Sequence, residues 1–440
     1  AELTAVSTDS RQIPTEALFL PIRGERFDAH DFIAKAIENG AAAVVSHRQN
    51  EEYPVPALYV ENTSQALLDL AGGYREMCGG KVVGVTGSVG KTTTKELLYA
   101  VLKQKFNAQK TEGNLNNEVG LPLTLLRMMR DTEVMVAEMG MNHFGEISRM
   151  TAAARPDIAV ITNIGTSHIE FLGSREGICK AKLEILEGLQ KDGYAVLCGD
   201  EPLLWDKRAQ LGCRVVTYGM ENRECDLTAC LHDDGTFDII NNSLPAASLP
   251  AGGRFTAKLS IPGAHNVLNA LAAAVVGLLL GETPEQIAAG LQTYEASGLR
   301  QNIYEQDGYQ IYADCYNASP DAMEATLAVH GTMAPEGRRF AVLGSMLELG
   351  GYAEEGHRRA GRAAARYADA LYAYGPDADA MVAGAKEKGM DRAYAFADQA
   401  ALVAALRQDA KKGDALLFKG SRGMRMEQAL KLFLGEDVEE

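Results

Sequence analysis

Among 440 residues there is a single tryptophan, no Cys-x-x-Cys pair and no apolar run longer than that from 270 to 280. A bilayer crossing needs about 20 consecutive apolar residues, so no membrane insertion is expected. The chain does not open on a basic segment followed by an apolar run, so no secretion signal is expected there. Seven cysteines, at 78, 179, 198, 213, 225, 230 and 315, are odd in number and irregular in spacing. That argues against a disulfide framework or a zinc site and fits the reduced thiols of a cytoplasmic protein. Positive charge is in deficit, with 43 Lys and Arg against 59 Asp and Glu and a net charge of −16. Such a balance argues against a general nucleic-acid or anionic-membrane binder, so any anionic ligand must be held by local features. Internal repeats are absent, and 46% hydrophobic with 23% charged residues is ordinary globular composition, which excludes disorder.

At roughly 150 residues per domain, the length predicts about three domains. The stretch 1–79 mixes short apolar runs with helical segments and reads as a small α/β unit ending near Gly79-Gly80. From Lys81 the pattern alternates strand and helix: strands over 81–86, 133–139 and 157–164, and helices over 91–106 and 264–280. That alternation predicts a parallel sheet covered by helices. The stretch 194–261 is richer in strands, with a turn at Asp233-Asp234-Gly235, and Thr283-Pro284-Glu285-Gln286 reads as a capping box. After Gly298 the alternation restarts, with strands near 309–313, 339–343, 370–374 and 414–418, which predicts a Rossmann-like unit. The expected fold is therefore α/β in three domains, 1–79, 80–297 and 298–440, with no second copy of the chain required.

The sharpest local signal is a strand running into Gly87-Ser88-Val89-Gly90-Lys91-Thr92-Thr93, followed by a helix. Glycines let backbone N–H groups converge on phosphate oxygens, lysine adds a cation, and a hydroxyl at the helix start suits Mg²⁺. The strict motif wants glycine where Val85 stands. A phosphate loop names only a nucleotide-handling protein; the absence of Asn-Lys-x-Asp weakens a GTP switch. Glu138 closes the strand 133–139, where either a Mg²⁺ ligand or a helix-capping acid belongs. His168 follows another apolar strand, where a lone histidine is more often structural than a ligand; Lys182, by type alone, is a solvated helix residue.

The phosphate loop, Glu138, His168 and Lys182, in this order and approximate spacing, resemble the central domain of the Mur ligase family. The resemblance continues through His265-Asn266-Val267-Leu268-Asn269, Arg300 and Asp314, and so spans essentially the whole chain. It implies an ATP-dependent, amide-forming enzyme of peptidoglycan precursor synthesis that uses Mg²⁺. Four segments, 111–120, 314–323, 343–350 and 419–422, match one subgroup, which implies UDP-N-acetylmuramoyl-tripeptide and D-alanyl-D-alanine as substrates. The sister ligase that adds the third amino acid usually carries Asp-Asn-Pro, which is absent here.

By that resemblance, Gly87 to Thr93, Asn266, Asn269, Arg300 and Asp314 would bind ATP. Thr92, Glu138, His168 and a carbamylated Lys182 would hold metal, with Lys91 acting on the transferring phosphoryl group. Ser10 and Arg11 are candidates for the uridine nucleotide, and Asn114, Asn116 and Asn117 for the rest of that substrate, although asparagines after a glycine also close loops. Asn317 and Ser345 lie in the segments expected to face the dipeptide; Ser319 and Ser345 stand where the subgroup usually has Asn and Asp. His357, which recurs in that subgroup, is expected to be structural. Two alternatives remain beside this reading: another amide ligase on the same scaffold, either the sister ligase or a folyl-polyglutamate synthetase, and a nucleotide switch without ligase chemistry.

Overall fold

The computed structural model describes residues 3–24, 27–294, 300–333 and 335–436. Three sheets follow one another along the chain. The first has four parallel strands in sequence order, Ala5–Ser7, Ala17–Phe19, Ala43–Ser46 and Ala57–Tyr59. Its core is small: Phe19, Ile33, Ala36, Ala41 and Val44 on one side, and Leu20, Val45 and Leu67 on the other. Leu67 belongs to the helix Thr63–Cys78, started by Asn62, whose side chain accepts from the N–H groups of Ser64 and Gln65. Arg75 on this helix anchors the first unit to the second. Its guanidinium donates to the Ala154 carbonyl at 3.0 Å and to Asp157 at 3.1 Å. The boundary expected at 297/298 lies outside the described residues.

The central sheet has nine strands. Across it they run Arg254–Lys258, Thr236–Asn241, Leu227–Leu231, Arg214–Gly219, Tyr194–Cys198, Ile158–Ile161, Lys81–Thr86, Val134–Glu138 and Ala108–Lys110. The seven strands from Leu227–Leu231 onward are parallel, and the other two add antiparallel pairs at one edge. Val82, Val83 and Val85 are all fully buried, as a strand covered on both faces requires. The expected turn near Asp234 joins Leu227–Leu231 to Thr236–Asn241, and the expected capping box at Thr283 forms. The helix Ala264–Leu279 lies buried along nearly its whole length.

The third sheet runs Asn302–Gln306, Tyr309–Asp314, Ala415–Lys419, Arg339–Gly344, Ala370–Tyr374 and Ala393–Phe396, with only the first strand antiparallel. Alternation sorts its side chains into two cores. Ala341 and Leu343 pack under the helices Pro320–Thr332 and Ala353–Tyr367, while Phe340 and Val342 pack toward Gln399–Asp409 and Met426–Leu434.

In the central sheet the strands that follow Lys81–Thr86 lie on both sides of it, and in the third the last strand, Ala415–Lys419, returns between Tyr309–Asp314 and Arg339–Gly344. Such a switch in order leaves a crevice at the carboxyl ends of the strands, where ligands bind. The strand ends lead into the residues that line it: Thr86 into the phosphate loop and Ile161 into the loop 162–168, with Glu138, Asp314 and Lys419 at the ends of their own strands.

Candidate active site

A cleft of about 500 Å³ lies where the two crevices meet. Its walls include the phosphate loop from Ser88 to Thr93, Asn116, Glu138 and His168 on the central side, and Arg300, Asp314, Asn317 and Lys419 on the other. Gly90 adopts φ of 86° immediately before the helix Lys91–Leu102, so the loop delivers backbone N–H groups to the helix start. A Cβ on Gly90 would sit 2.6 Å from Asn269 Oδ1, which explains why the loop and the Ala264–Leu279 helix approach so closely. The Lys91 ammonium donates to the Gly87 carbonyl at 2.8 Å. Burial pushes its pKa down, with Glu138 opposing that shift and Arg300 adding to it.

Glu138 is the polar centre of the cleft floor. Its Oε1 accepts from Thr92 Oγ1 at 3.2 Å and from Asn116 Nδ2 at 2.7 Å. Its Oε2 is buried without a hydrogen-bond partner, 3.7 Å from the Lys95 ammonium. A buried, unpartnered carboxylate oxygen beside a helix-start hydroxyl is a donor set suited to a hard divalent cation. Lys182 lies nearby but under the surface, only 2% exposed. Burial and the neighbouring Lys91 drive its ammonium well below its ordinary pKa, and no carboxylate among the described residues pairs with it. His168 has left-handed backbone and places Nδ1 2.6 Å from Glu348 Oε2. That bond holds the Glu348 carboxyl below its usual range.

Of the residues expected at the nucleotide, Asn269, Arg300 and Asp314 line the cleft, while Asn266 is fully buried behind it. Asn266 Nδ2 donates to Gln301 Oε1 at 2.8 Å, and Asn269 Oδ1 accepts from Thr94 Oγ1 at 3.1 Å. Arg300 stacks its guanidinium 3.7 Å from the Tyr316 ring centre. Asp314 is nearly buried; burial alone would raise its pKa, but the Lys419 ammonium and the Thr326 hydroxyl hold it below the usual carboxylate range.

The other expected residues divide between the cleft and elsewhere. Asn117 lines the cleft, its Oδ1 accepting from Gly120 N at 2.8 Å, while Asn114 is exposed and outside it. Ser345 is fully buried, and its hydroxyl accepts from Asp377 N at 3.0 Å. Asn317 lines the cleft, its Oδ1 accepting from Ala318 N. His357 is buried and accepts from Met346 N at 2.8 Å. Arg11 is exposed on the first unit, its guanidinium paired with Asp9 at 2.8 Å, and the Ser10 carbonyl accepts from Asn39. Neither lines the second groove, of about 850 Å³, whose walls include their chain neighbours Asp9 and Gln12 with Thr8, Tyr74 and Arg127.

Sequence reasoning missed four residues. Lys95, 1% exposed, sits between Glu96 and Glu138. Asn163 grips Val89 of the phosphate loop through both of its side-chain atoms. Asp321 and Glu348 reach from the third unit to the loop 162–168. Asn163, Asp321 and Glu348 stand in segments already singled out, around His168 and over 314–323 and 343–350, so a signal for them was present; Lys95 carries none before folding. Outside the cleft, Asp28, His30 and His47 bring potential metal-ligating atoms within 4.8 Å of one another. Arg48 already donates to Asp28 at 3.3 Å and His30 Nδ1 lies 2.6 Å from its other oxygen, so that carboxylate is satisfied without an ion.

A phosphate loop facing the strand ends of a second sheet across one cleft is the arrangement of a nucleotide-dependent enzyme. Three family models match along the chain: "Mur ligase family, catalytic domain" at residues 2–75, "Mur ligase middle domain" at 85–277 and "Mur ligase, glutamate ligase domain" at 299–422. The chain is 40% identical over 438 residues to UDP-N-acetylmuramoyl-tripeptide–D-alanyl-D-alanine ligase of Bacillus subtilis (strain 168), covering 97% of this chain and 92% of that one. It thus belongs to the Mur ligase family. Among solved structures, MurF from Acinetobacter baumannii matches with a TM-score of 0.88 at 31% identity, covering 98% of this chain and 93% of that one. MurF ligase from Thermotoga maritima in complex with ADP matches with a TM-score of 0.85 at 33% identity, covering 98% and 97%.

Proposed function

We propose that this chain is an ATP-dependent ligase joining D-alanyl-D-alanine to UDP-N-acetylmuramoyl-tripeptide in peptidoglycan precursor synthesis. The observation that carries the reading is the shared cleft, in which Lys91 and Glu138 of the central unit face Arg300, Asp314 and Lys419 of the third. The activity named for the relative at 40% identity supports it.

A carboxylate is a poor electrophile, and its charge repels ATP. In the first step the terminal carboxylate of the tripeptide attacks the γ-phosphorus, the bond to the bridging oxygen breaks, and ADP leaves an acyl phosphate. The dipeptide amine then adds to the acyl carbon, gives up a proton and expels inorganic phosphate, leaving the amide. Lys91 and the N–H groups at the start of Lys91–Leu102 stabilise the transferring charge, and Arg300 supplies a second cation. Gly87, Ser88, Val89, Gly90 and Thr93 shape the loop around the phosphates. Asn266 and Asn269 present amides suited to a base edge, and Asp314 a carboxylate suited to ribose. Thr92, Glu138, His168 and Lys182 would hold Mg²⁺, which neutralises phosphate charge during transfer. The unpartnered Glu138 Oε2 fits that role. The unpaired burial of Lys182 fits a carbamate, an anion that can ligate where an ammonium would repel.

In this reading residues 1–79 take the uridine nucleotide, 80–297 the ATP and 298–440 the amine. Ser10 and Arg11 meet the nucleotide beside the second groove. Asn114, Asn116 and Asn117 lie toward the muramoyl peptide, and Asn317 contacts the dipeptide, with Ser345 supporting its loop. The chain works as a monomer in the cytoplasm, a location its unbridged cysteines suit. No described helix is long and apolar enough to cross a membrane. The test is phosphate release with purified protein: it should require both UDP-tripeptide and dipeptide. Equal turnover with a single diamino acid, or none with the dipeptide, would overturn the assignment and favour the sister ligase or a switch.

A further inference from the structure

Two carboxylates of the third unit hold one loop of the central unit. Asp321, in the first turn of Pro320–Thr332, accepts from Thr166 N at 2.8 Å and Thr166 Oγ1 at 3.0 Å, while its other oxygen is held by Arg359 at 2.9 Å. A Cβ on Gly165 would run into the same Asp321 oxygen, so the approach needs glycine there. Glu348 meets His168 at the far end of the loop, with φ of 61° and 62° for the two residues. Non-glycine residues hold that conformation only where the surroundings over-determine it. Glu348 is itself fixed from behind: Met346 N donates to His357 Nε2 at 2.8 Å, and Leu347 N donates to Ser421 Oγ at 2.9 Å.

The opposite side of the loop clasps the phosphate loop. Ser88 N donates to the Asn163 carbonyl at 3.1 Å, and Val89 N donates to Asn163 Oδ1 at 2.9 Å. Asn163 Nδ2 and Thr162 Oγ1 both donate to the Val89 carbonyl, at 2.8 Å and 2.7 Å. The segment 162–168 thus carries the phosphate loop on one side and the docked third unit on the other. Neither Asp321 nor Glu348 lines the cleft.

We propose that Asp321 and Glu348 are positioning residues: through them, docking of the amine-carrying domain onto the loop 162–168 sets the phosphate loop for phosphoryl transfer. This rests on the ligase reading above. It follows that acyl phosphate forms fastest when the domain that brings the amine is already in place, so the reactive intermediate is not left facing water.

The test compares Asp321→Asn, Glu348→Gln, the double variant and Glu348→Asp with wild type, in the full chain. Misplacing reacting groups by about 1 Å costs on the order of 100-fold in rate, so each neutral variant should lower kcat by roughly 10-fold or more. ATP affinity, measured by calorimetry without the amine substrate, should stay within about threefold, because ground-state binding is not what docking supplies. The double variant should lose less than the product of the single losses, as residues on one path do. Glu348→Asp should recover part of the rate, since it restores an acceptor for His168. Thermal unfolding separates misfolding from mispositioning: a kcat loss at an unchanged Tm supports the inference. Variants with wild-type kcat, or losses that track ATP affinity or Tm, overturn it. A wild-type protein that makes no amide from the dipeptide would instead overturn the ligase reading.

Discussion

Glu282 is fully buried beside the end of the Ala264–Leu279 helix, and neither of its carboxylate oxygens has a hydrogen-bond partner. Burial raises its pKa from 4.5 to about 7, with Lys105 only partly opposing the shift. Between those values the folded chain holds a proton that the unfolded chain has released, so stability falls as pH rises through that window. Glu282→Gln removes the ionisation, and the gain should be on the order of 1–3 kcal/mol near pH 8 and close to nothing near pH 4, where both states are protonated. Urea unfolding of the two proteins at each pH checks this; an equal gain at both would point to packing instead. Lys182 poses the converse problem, a buried cation with no anionic partner. If it works as a carbamate, intact mass in bicarbonate buffer should show added CO₂ that Lys182→Ala lacks. That variant should lose roughly 100-fold or more in kcat. An unmodified lysine in fully active enzyme would refute the carbamate.

At the scale of elements, the turn from Lys81–Thr86 into Lys91–Leu102 depends on Gly90. Gly90→Ala meets both a φ of 86° and the Asn269 amide, and strain of about 1–3 kcal/mol should weaken ATP binding roughly 10- to 100-fold with little effect on the affinity for UDP-tripeptide. Titration of each ligand separately checks this, and equal losses for both would locate the damage in the fold. This turn was legible in the sequence because its chemistry is local: a buried strand, glycines and a helix within a dozen residues. The core strands were legible for a related reason. Lys81–Thr86 and Ala370–Tyr374 are continuous apolar runs bounded by turns, and they occur at the expected residues. Ala5–Ser7, Ala393–Phe396 and Asn302–Gln306 escaped because they are short, lie at sheet edges and alternate only weakly. Asp321 and Glu348 escaped for a different reason. Their partners lie 155 and 180 residues away, so their roles exist only once the third unit is docked.

For the whole molecule, a net charge of −16 opposes the approach of two anionic substrates, and the cleft offsets it with Lys91, Arg300, Lys419 and oriented N–H groups. Raising ionic strength from about 10 mM to about 100 mM shortens the screening length from roughly 30 Å to 10 Å. That should weaken the distant repulsion more than the close contacts, so KM for ATP and for UDP-tripeptide should fall over that range. Steady-state kinetics in a KCl series measures it, and a steadily rising KM would mean that the close cations dominate even at long range. The bridges Thr166–Asp321, His168–Glu348 and Asn266–Gln301 bear on the end of the cycle as well. In the ligase reading, ADP and phosphate would leave past them. Each such bond is worth on the order of 1 kcal/mol, so these polar bridges make a latch rather than a lock: firm enough to keep water from the cleft, loose enough to let spent nucleotide go.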